Sequence, residues 1–493
     1  MTSRRSVACG FLVALVSTAL AGCATLDLPP KSPTKTPATC YAAGPTPAPP
    51  GPPVILDNTV SGGTFLIPGA GVAPGTVINL TSDLVIISTG DVEIGGQIRN
   101  PQNKATSIII VSLEGNIVVQ PTALIGFGTG ETPQPVVETG ATPFALGAPG
   151  GHGGVVKLVA EKGSIVVYGN IRGQMGGSGS RAEATSDPVV AAAAKLAGRS
   201  FAGWAIAVGG QGGPGGDVIL CALEAIAVGS FPGFPGGATV QGGQAGAPGR
   251  ADATGAIDGF ALALGGYRYF EKDYPGHVYI ESVAPPGSGK VQLFVNPGGL
   301  LQGADGTYGQ DGEAAVAGSD GGSAMAIGGD ASPGGSVFFG DVIVFNRVLG
   351  RAIAAGDGAQ GGDGSAEGAT GPDGAAGQNG KQGGSASAFG GGGSKAGATP
   401  VYLDGLLNPP ALALGSAGTD KGGGDAKATG GNGGAAGSGG ASGGSSGDSR
   451  ALGGANAAGQ APQAPDQKPS NPPNPANPTQ GGAGQQASQT GVP

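Results

Sequence analysis

The chain has 493 residues, of which 106 are glycine and 40 are proline, more than twice their combined share of about 12% in average chains. Its 24 basic residues are outnumbered by 33 acidic ones, for a net charge of −9. It therefore lacks the basic stripe that phosphate backbones require, and this argues against nucleic acid as a partner. A hydrophobic share of 39%, gathered into short Val, Ile and Phe islands, sets it apart from disordered Gly/Pro-rich chains and predicts folded strands joined by glycine-rich excursions.

At the start, Arg4 and Arg5 precede an apolar run from Cys9 to Ala21 that ends in Leu20-Ala21-Gly22-Cys23. A basic end, an apolar stretch and small residues before a cleavage point are the build of a secretory signal. The run falls short of the roughly 20 residues that span a bilayer. The segment resembles a bacterial lipoprotein signal, whose lipobox is a branched apolar residue, two small residues and a cysteine. The resemblance implies that residues 1–22 are removed and that Cys23 becomes the lipidated first residue, so the chain is anchored by lipid and not by a helix. With Ala24 and not Asp after the cysteine, it also implies an outer-membrane address, on the periplasmic side or the cell surface. Loss of Arg4 and Arg5 takes the net charge to −11.

Residues 23–53 form a proline-rich tether, with Pro29-Pro30, Pro49-Pro50 and Pro52-Pro53 favouring extended polyproline II at about 3.1 Å per residue. Cys40 lies within it and Cys221 within an apolar island. Outside the cytoplasm the two either form a disulfide that fastens tether to body, or leave Cys221 as a buried free thiol. Their spacing is not that of a metal site.

From Val54 onward, islands such as Leu84 to Ile87, Ile108 to Val111 and Ile117 to Val119 read as short strands closed by glycine turns. Strands this short need neighbours above and below. Openings at Val155, Val218, Val278, Val337 and Val401 recur with spacings of 63, 60, 59 and 64 residues. A second strand follows about ten residues later, at Ile165, Ile226, Val291 and Val342. A third element, Ala-x-Ala-x-Gly-Gly, begins at Ala205, Ala261, Ala324, Ala386 and Ala426. Alanine and glycine there let two backbones approach closely.

Repeats of this kind mark a stacked architecture. The pattern resembles the right-handed parallel β-helix of bacterial surface and secreted proteins, an all-β solenoid, here with long glycine-rich loops on one edge. Residues 54–415 are expected to form it, followed by a glycine-rich low-complexity segment at 416–454 and a disordered tail at 455–493. Glycine-rich stretches such as Gly361 to Gly393 suit polyproline II arms packed side by side. The six Gly-X-Y triplets from Gly368 to Ser385 are too few for a collagen helix. One segment departs from the pattern: Asp187, Pro188 and the run Val189 to Ala197, stopped by Gly198, predict a short capped helix packed on the coil flank.

The residues that could carry chemistry are sparse. His152 and His277 are the two histidines, each entering a module-opening strand, where a polar turn residue accounts for them. Loop aspartates Asp305, Asp311, Asp320, Asp330, Asp357 and Asp363 offer oxygen ligands on bendable loops, the chemistry calcium prefers, but the nine-residue period of calcium-binding repeats is missing. No other cofactor is expected. Lys157, Lys162, Arg172, Arg347 and Arg351 lie near strands without the paired acids that pectate-lyase-like β-helix enzymes place beside such bases. The sequence therefore points to an envelope-anchored lipoprotein with a structural, adhesive or matrix-binding role and with polysaccharide or envelope proteins as partners. A polysaccharide-active β-helix lyase or hydrolase is the alternative.

Overall fold

The computed structural model describes Cys40 and residues 51–230, 237–266, 276–284, 289–318, 321–346, 353–376, 378–397, 401–402, 420–421, 424–435, 438, 442–453 and 486–489. Their regular structure is nearly all β, and the strands stack in register from one repeat to the next into five sheets. Four of the sheets are wholly parallel, and the other has one antiparallel strand at its end. Coil five shows the plan. Val218–Ala222 lies in sheet 1, Ala225–Val228 in sheet 2, Ala238–Gln241 in sheet 3, Ala251–Ala256 in sheet 4 and Phe260–Leu264 in sheet 5. Each pairs with its counterparts in the neighbouring coils: Val218 lies opposite both Val156 and Val278.

Sheets 1 to 3 share one apolar core. Alternate residues of each short strand point inward, so Val218, Leu220 and Ala222 are fully buried together with Ile226, Val228 and Val240. Branched Val and Ile side chains suit this pleated interior, and each such burial contributes about 1.5–3 kcal/mol. The strands are only two to five residues long, which makes each coil dependent on the next.

Sheets 4 and 5 enclose a second core of a different kind. Its members are almost all alanine, among them Ala182, Ala184, Ala205, Ala207, Ala251, Ala253, Ala261 and Ala263. With little more than methyl groups between them, the facing strands bring Cα atoms within 8 Å of one another, closer than the roughly 10 Å usual for stacked sheets. The Ala-x-Ala elements from Ala205, Ala261, Ala324 and Ala386 form sheet 5, as one recurring element should. The copy from Ala426 does not. Ala426–Thr429 pairs with Gly364–Glu367 in sheet 4, and Ser449–Leu452 takes the corresponding place in sheet 5. The two facing sheets carry the same alanine face, so the motif alone does not distinguish them. Regular pairing thus continues past residue 415, and Gln486–Gln489, within the segment expected to be disordered, pairs antiparallel with Ala426–Thr429.

The glycine-rich arms join the two cores. In them the chain forms neither helix nor strand, and backbone hydrogen bonds pass between arms at every third residue. Gly243, Gly246 and Gly249 donate to the carbonyls of Gly216, Gly213 and Gly210, and Gly213 and Gly216 donate in turn to Gly177 and Gln174. Three residues is the turn of polyproline II. Glycine is a steric requirement here: a Cβ on Gly246 would sit 1.8 Å from the Gly177 oxygen, and one on Gly213 2.0 Å from that of Gly151. Where the arms begin, Gln174 is fully buried. Its Oε1 accepts from the backbone N–H groups of Thr106 and Gly154 at 3.0 and 2.8 Å, and its Nε2 faces the carbonyls of Pro101, Lys104 and Thr129.

The expected helix is present as α1 (Pro188–Leu196), with Asp187 accepting from the N–H groups of Val189 and Val190 and proline in the first turn. It does not pack on the coil flank. Ala191 is its one buried residue, while Val189 is 76% and Leu196 92% exposed. An ion pair from Lys195 to Asp258 ties it to the next coil. The cap and the i to i+4 bonds are enough to define the helix, but its apolar side chains find no groove. Among the described residues no helix is long and apolar enough to cross a membrane.

The two cores should be sensitive to opposite changes of volume. Ala207→Leu is expected to lower stability by about 1–3 kcal/mol or more through overpacking between sheets 4 and 5. Ile226→Val in the larger core should cost about 0.5–1.5 kcal/mol through lost burial. Denaturant unfolding of the two variants measures both, and tolerance of leucine at residue 207 would show that sheets 4 and 5 are not closely apposed.

Candidate functional site

On sheet 1, side chains that alternate with the core-facing ones point away from the interior, yet Val111, Val159, Ile219 and Cys221 on that outer face are buried. They share a small apolar cluster with Cys40, which seats on the face from outside. Cys40 and Cys221 form a disulfide, with Cα atoms 5.9 Å apart and a sequence separation of 181. Glu281, opposite Cys221 on the next strand, is buried and brings Oε2 to 3.2 Å from the Cys40 sulfur. Ligand atoms of Cys40, Cys221 and Glu281 all lie within 4.8 Å of one another. Sulfurs bonded to each other offer no thiolate to a metal, so the arrangement is a covalent clasp. Its three residues come from distant parts of the chain, which spacing alone could not reveal.

The histidines do not form a pair. His152 and His277 precede the sheet 1 strands of coils four and six, with coil five between them. His152 is exposed. The backbone N–H of His277 donates to Asp217 at 2.8 Å, its Nδ1 accepts from the Ser336 N–H at 2.9 Å, and its ring meets Phe338 edge-on. It thus ties coil five to coil seven, a structural task.

Four of the loop aspartates share a role. The Oδ1 of Asp305 accepts from the N–H of Asp357 at 3.0 Å. That of Asp311 accepts from Asp363, and that of Asp363 from Asp425, at 2.9 and 2.8 Å. Asp330 does the same for Gly392 at 2.7 Å. Each carboxylate satisfies a backbone donor one coil on, where the arms leave the strand ladder. Asn116 and Asn379 perform the same service for Ser164 and Ser442, so an amide oxygen suffices. Asp320 lies outside the described residues. Partial burial raises the pKa of Asp363; the N–H of Asp425 opposes the rise, and the neighbouring charges of Asp311 and Asp425 add to it.

The basic residues are dispersed. Lys157 lies on sheet 1, Lys162 pairs with Glu114 at 2.8 Å in an exposed turn, and Arg172 lies on sheet 3 with its guanidinium 5.8 Å from the Phe127 ring centre. Arg347 and Arg351 lie outside the described residues. A charge network that the spacing did not suggest forms along sheet 4. Arg250 contacts Asp252 and Glu313 at 2.8 and 2.5 Å, while Arg181 reaches Asp252 at 2.7 Å and Glu183 at 3.5 Å. The Arg250 guanidinium is held above its usual range, chiefly by its hydrogen bond to Asp252. The facing positions Glu183, Asp252 and Glu313 align acids in three successive coils, and the arginines relieve their repulsion.

No protein-family model, curated protein or solved structure matches the chain.

The aspartate ladder has a testable signature. A carboxylate with a raised folded pKa makes the native state bind its proton more tightly than the unfolded chain does. Its contribution is therefore most favourable in acid and is lost as pH rises above the ordinary value of 3.8. Asp363→Asn keeps the acceptor and removes the charge. It should be as stable as the parent or more so at pH 7, with the advantage shrinking below pH ~4 as the parent is protonated. Asp363→Ala should lose about 0.5–1.5 kcal/mol with its acceptor. Thermal unfolding across pH reads both, and a loss in the asparagine variant equal to that in alanine would rule out this role.

Proposed function

We propose that this chain is a lipoprotein of the bacterial outer membrane, held through Cys23, whose repeat body works by contact as a structural, adhesive or matrix-binding element. In this reading the coils close as a right-handed parallel β-helix around the larger apolar core, with the alanine-lined sheets carried outward on the arms. The observation that carries it is the covalent bond between Cys40 and Cys221. It joins the proline-rich segment next to the lipobox to the middle of the folded body, a connection suited to a molecule that is held and pulled. The cross-linked arms and aspartate ladders give stiffness, and stacked repeats offer a surface that grows with coil number. Polysaccharide or other envelope proteins would meet that surface.

Expression in a host that lipidates exported proteins tests the anchor. The parent chain should fractionate with outer membrane and incorporate labelled fatty acid, and Cys23→Ala should abolish both. The purified protein mixed with envelope polysaccharides should sediment with them without generating new reducing ends. New ends would replace the contact role with a polysaccharide-cleaving one, and sedimentation with no polysaccharide would remove glycans from the partners.

A further inference from the structure

The position of the clasp along the stack determines where an anchored body is held. Cys221 lies in the fifth of the eight strands of sheet 1, whereas the chain enters the fold at Val54–Leu56, at the other end of coils one to five. Val54–Leu56 is the first strand of sheet 2 and coil five's Ala225–Val228 the sixth, so five spacings of about 4.8 Å, about 24 Å, lie between them. The 14 residues from Cys40 to Val54 reach about 43 Å when extended at about 3.1 Å per residue. They are long enough to return from the clasp to coil one with slack to spare.

We infer that the Cys40–Cys221 disulfide, and not the N-terminal strand, is the point at which the membrane holds the body; this rests on the lipoprotein reading proposed above. The bond divides the tether into two parts with different roles. The 17 residues from Cys23 to Cys40 form the leash, with a reach of about 53 Å fully extended. The residues from Cys40 to Val54 carry no tension. Without the bond all 31 residues from Cys23 to Val54 would serve as leash, reaching about 96 Å, and the body would be held by its coil-one end. The clasp thus cuts the greatest distance from the bilayer by nearly half and moves the attachment to the flank formed by sheet 1. Cys40 and Cys221 are both buried, which protects the bond from thiols in solution.

The test uses the full lipidated chain on vesicles containing an acceptor-labelled lipid, with one donor fluorophore placed through a bio-orthogonal residue at exposed Asn58 or Lys427. A flexible insert of about 20 Gly-Ser residues is placed either between Ala24 and Thr25 or between Ala43 and Gly44. The upstream insert should lower energy transfer from both labels. The downstream insert should leave both unchanged, because it lengthens a slack segment. In Cys40→Ser the two inserts should become equivalent, and Lys427 should lie farther from the bilayer than Asn58. Equal effects of the two inserts in the chain that keeps both cysteines would overturn the inference. A parent chain that shows no transfer because it does not bind the vesicles would instead overturn the lipoprotein reading. The inserts leave every described residue in place, so loss of folding does not confuse the result.

Discussion

The arms are governed by the distance at which one peptide backbone can pass another. Gly246 beside Gly177, Gly213 beside Gly151 and Gly216 beside Gly154 leave no room for a single added carbon. Hydrogen bonds at every third residue join the arms, so glycine here is part of a packed interior and not a sign of looseness. That spacing holds the second stack at a fixed reach from the first. It also explains why sheets 4 and 5 are lined by alanine: strands delivered by closely packed arms face each other across a gap that fits little more than methyl groups. The abundance of glycine, ordinarily a mark of disorder, is in this chain what permits order.

Polar groups follow from the same geometry. Arms that leave the strand ladder expose backbone donors at fixed places, and aspartate or asparagine one coil away accepts from them. Gln174 does so from inside, at the junction where simple three-strand coils give way to coils with arms. Acidic residues stacked in register repel one another, and Arg181 and Arg250 lie where sheet 4 carries Glu183, Asp252 and Glu313. Part of the acidic content of the chain is thus held in ladders built by the coil register.

Much of sheets 1 and 2 was legible in the sequence, because strings such as Val218 to Leu220 and Ile165 to Val167 are apolar, β-branched and regularly spaced. Sheet 4 was not. Strands such as Ala182–Ser186 and Ala251–Ala256 consist of Ala, Thr, Ser, Gly and acids, and only their facing partners reveal that alternate alanines form a core. The capped helix could be read from Asp187 and Pro188, but its solvent-facing setting could not, since an apolar surface says nothing of whether a groove receives it. For the candidate site, the sequence left Cys40 and Cys221 either bonded or free, and Glu281 was invisible because its place beside them depends on coil register. The aspartates stood out by composition, yet their acceptor role appears only when residues 52 or 62 positions apart are stacked.

The close passage of the arms is tested most directly by comparing two glycine-to-alanine substitutions by denaturant unfolding. At Gly246 the added carbon would meet the Gly177 carbonyl, whereas at Gly289 it would meet only the Ala284 methyl at an ordinary 3.5 Å. Gly246→Ala should lower stability by about 2 kcal/mol or more, and Gly289→Ala should change it by no more than about 0.5 kcal/mol. Equal and small effects at the two positions would mean that the arms do not pack backbone against backbone, and that the glycines are there for another reason.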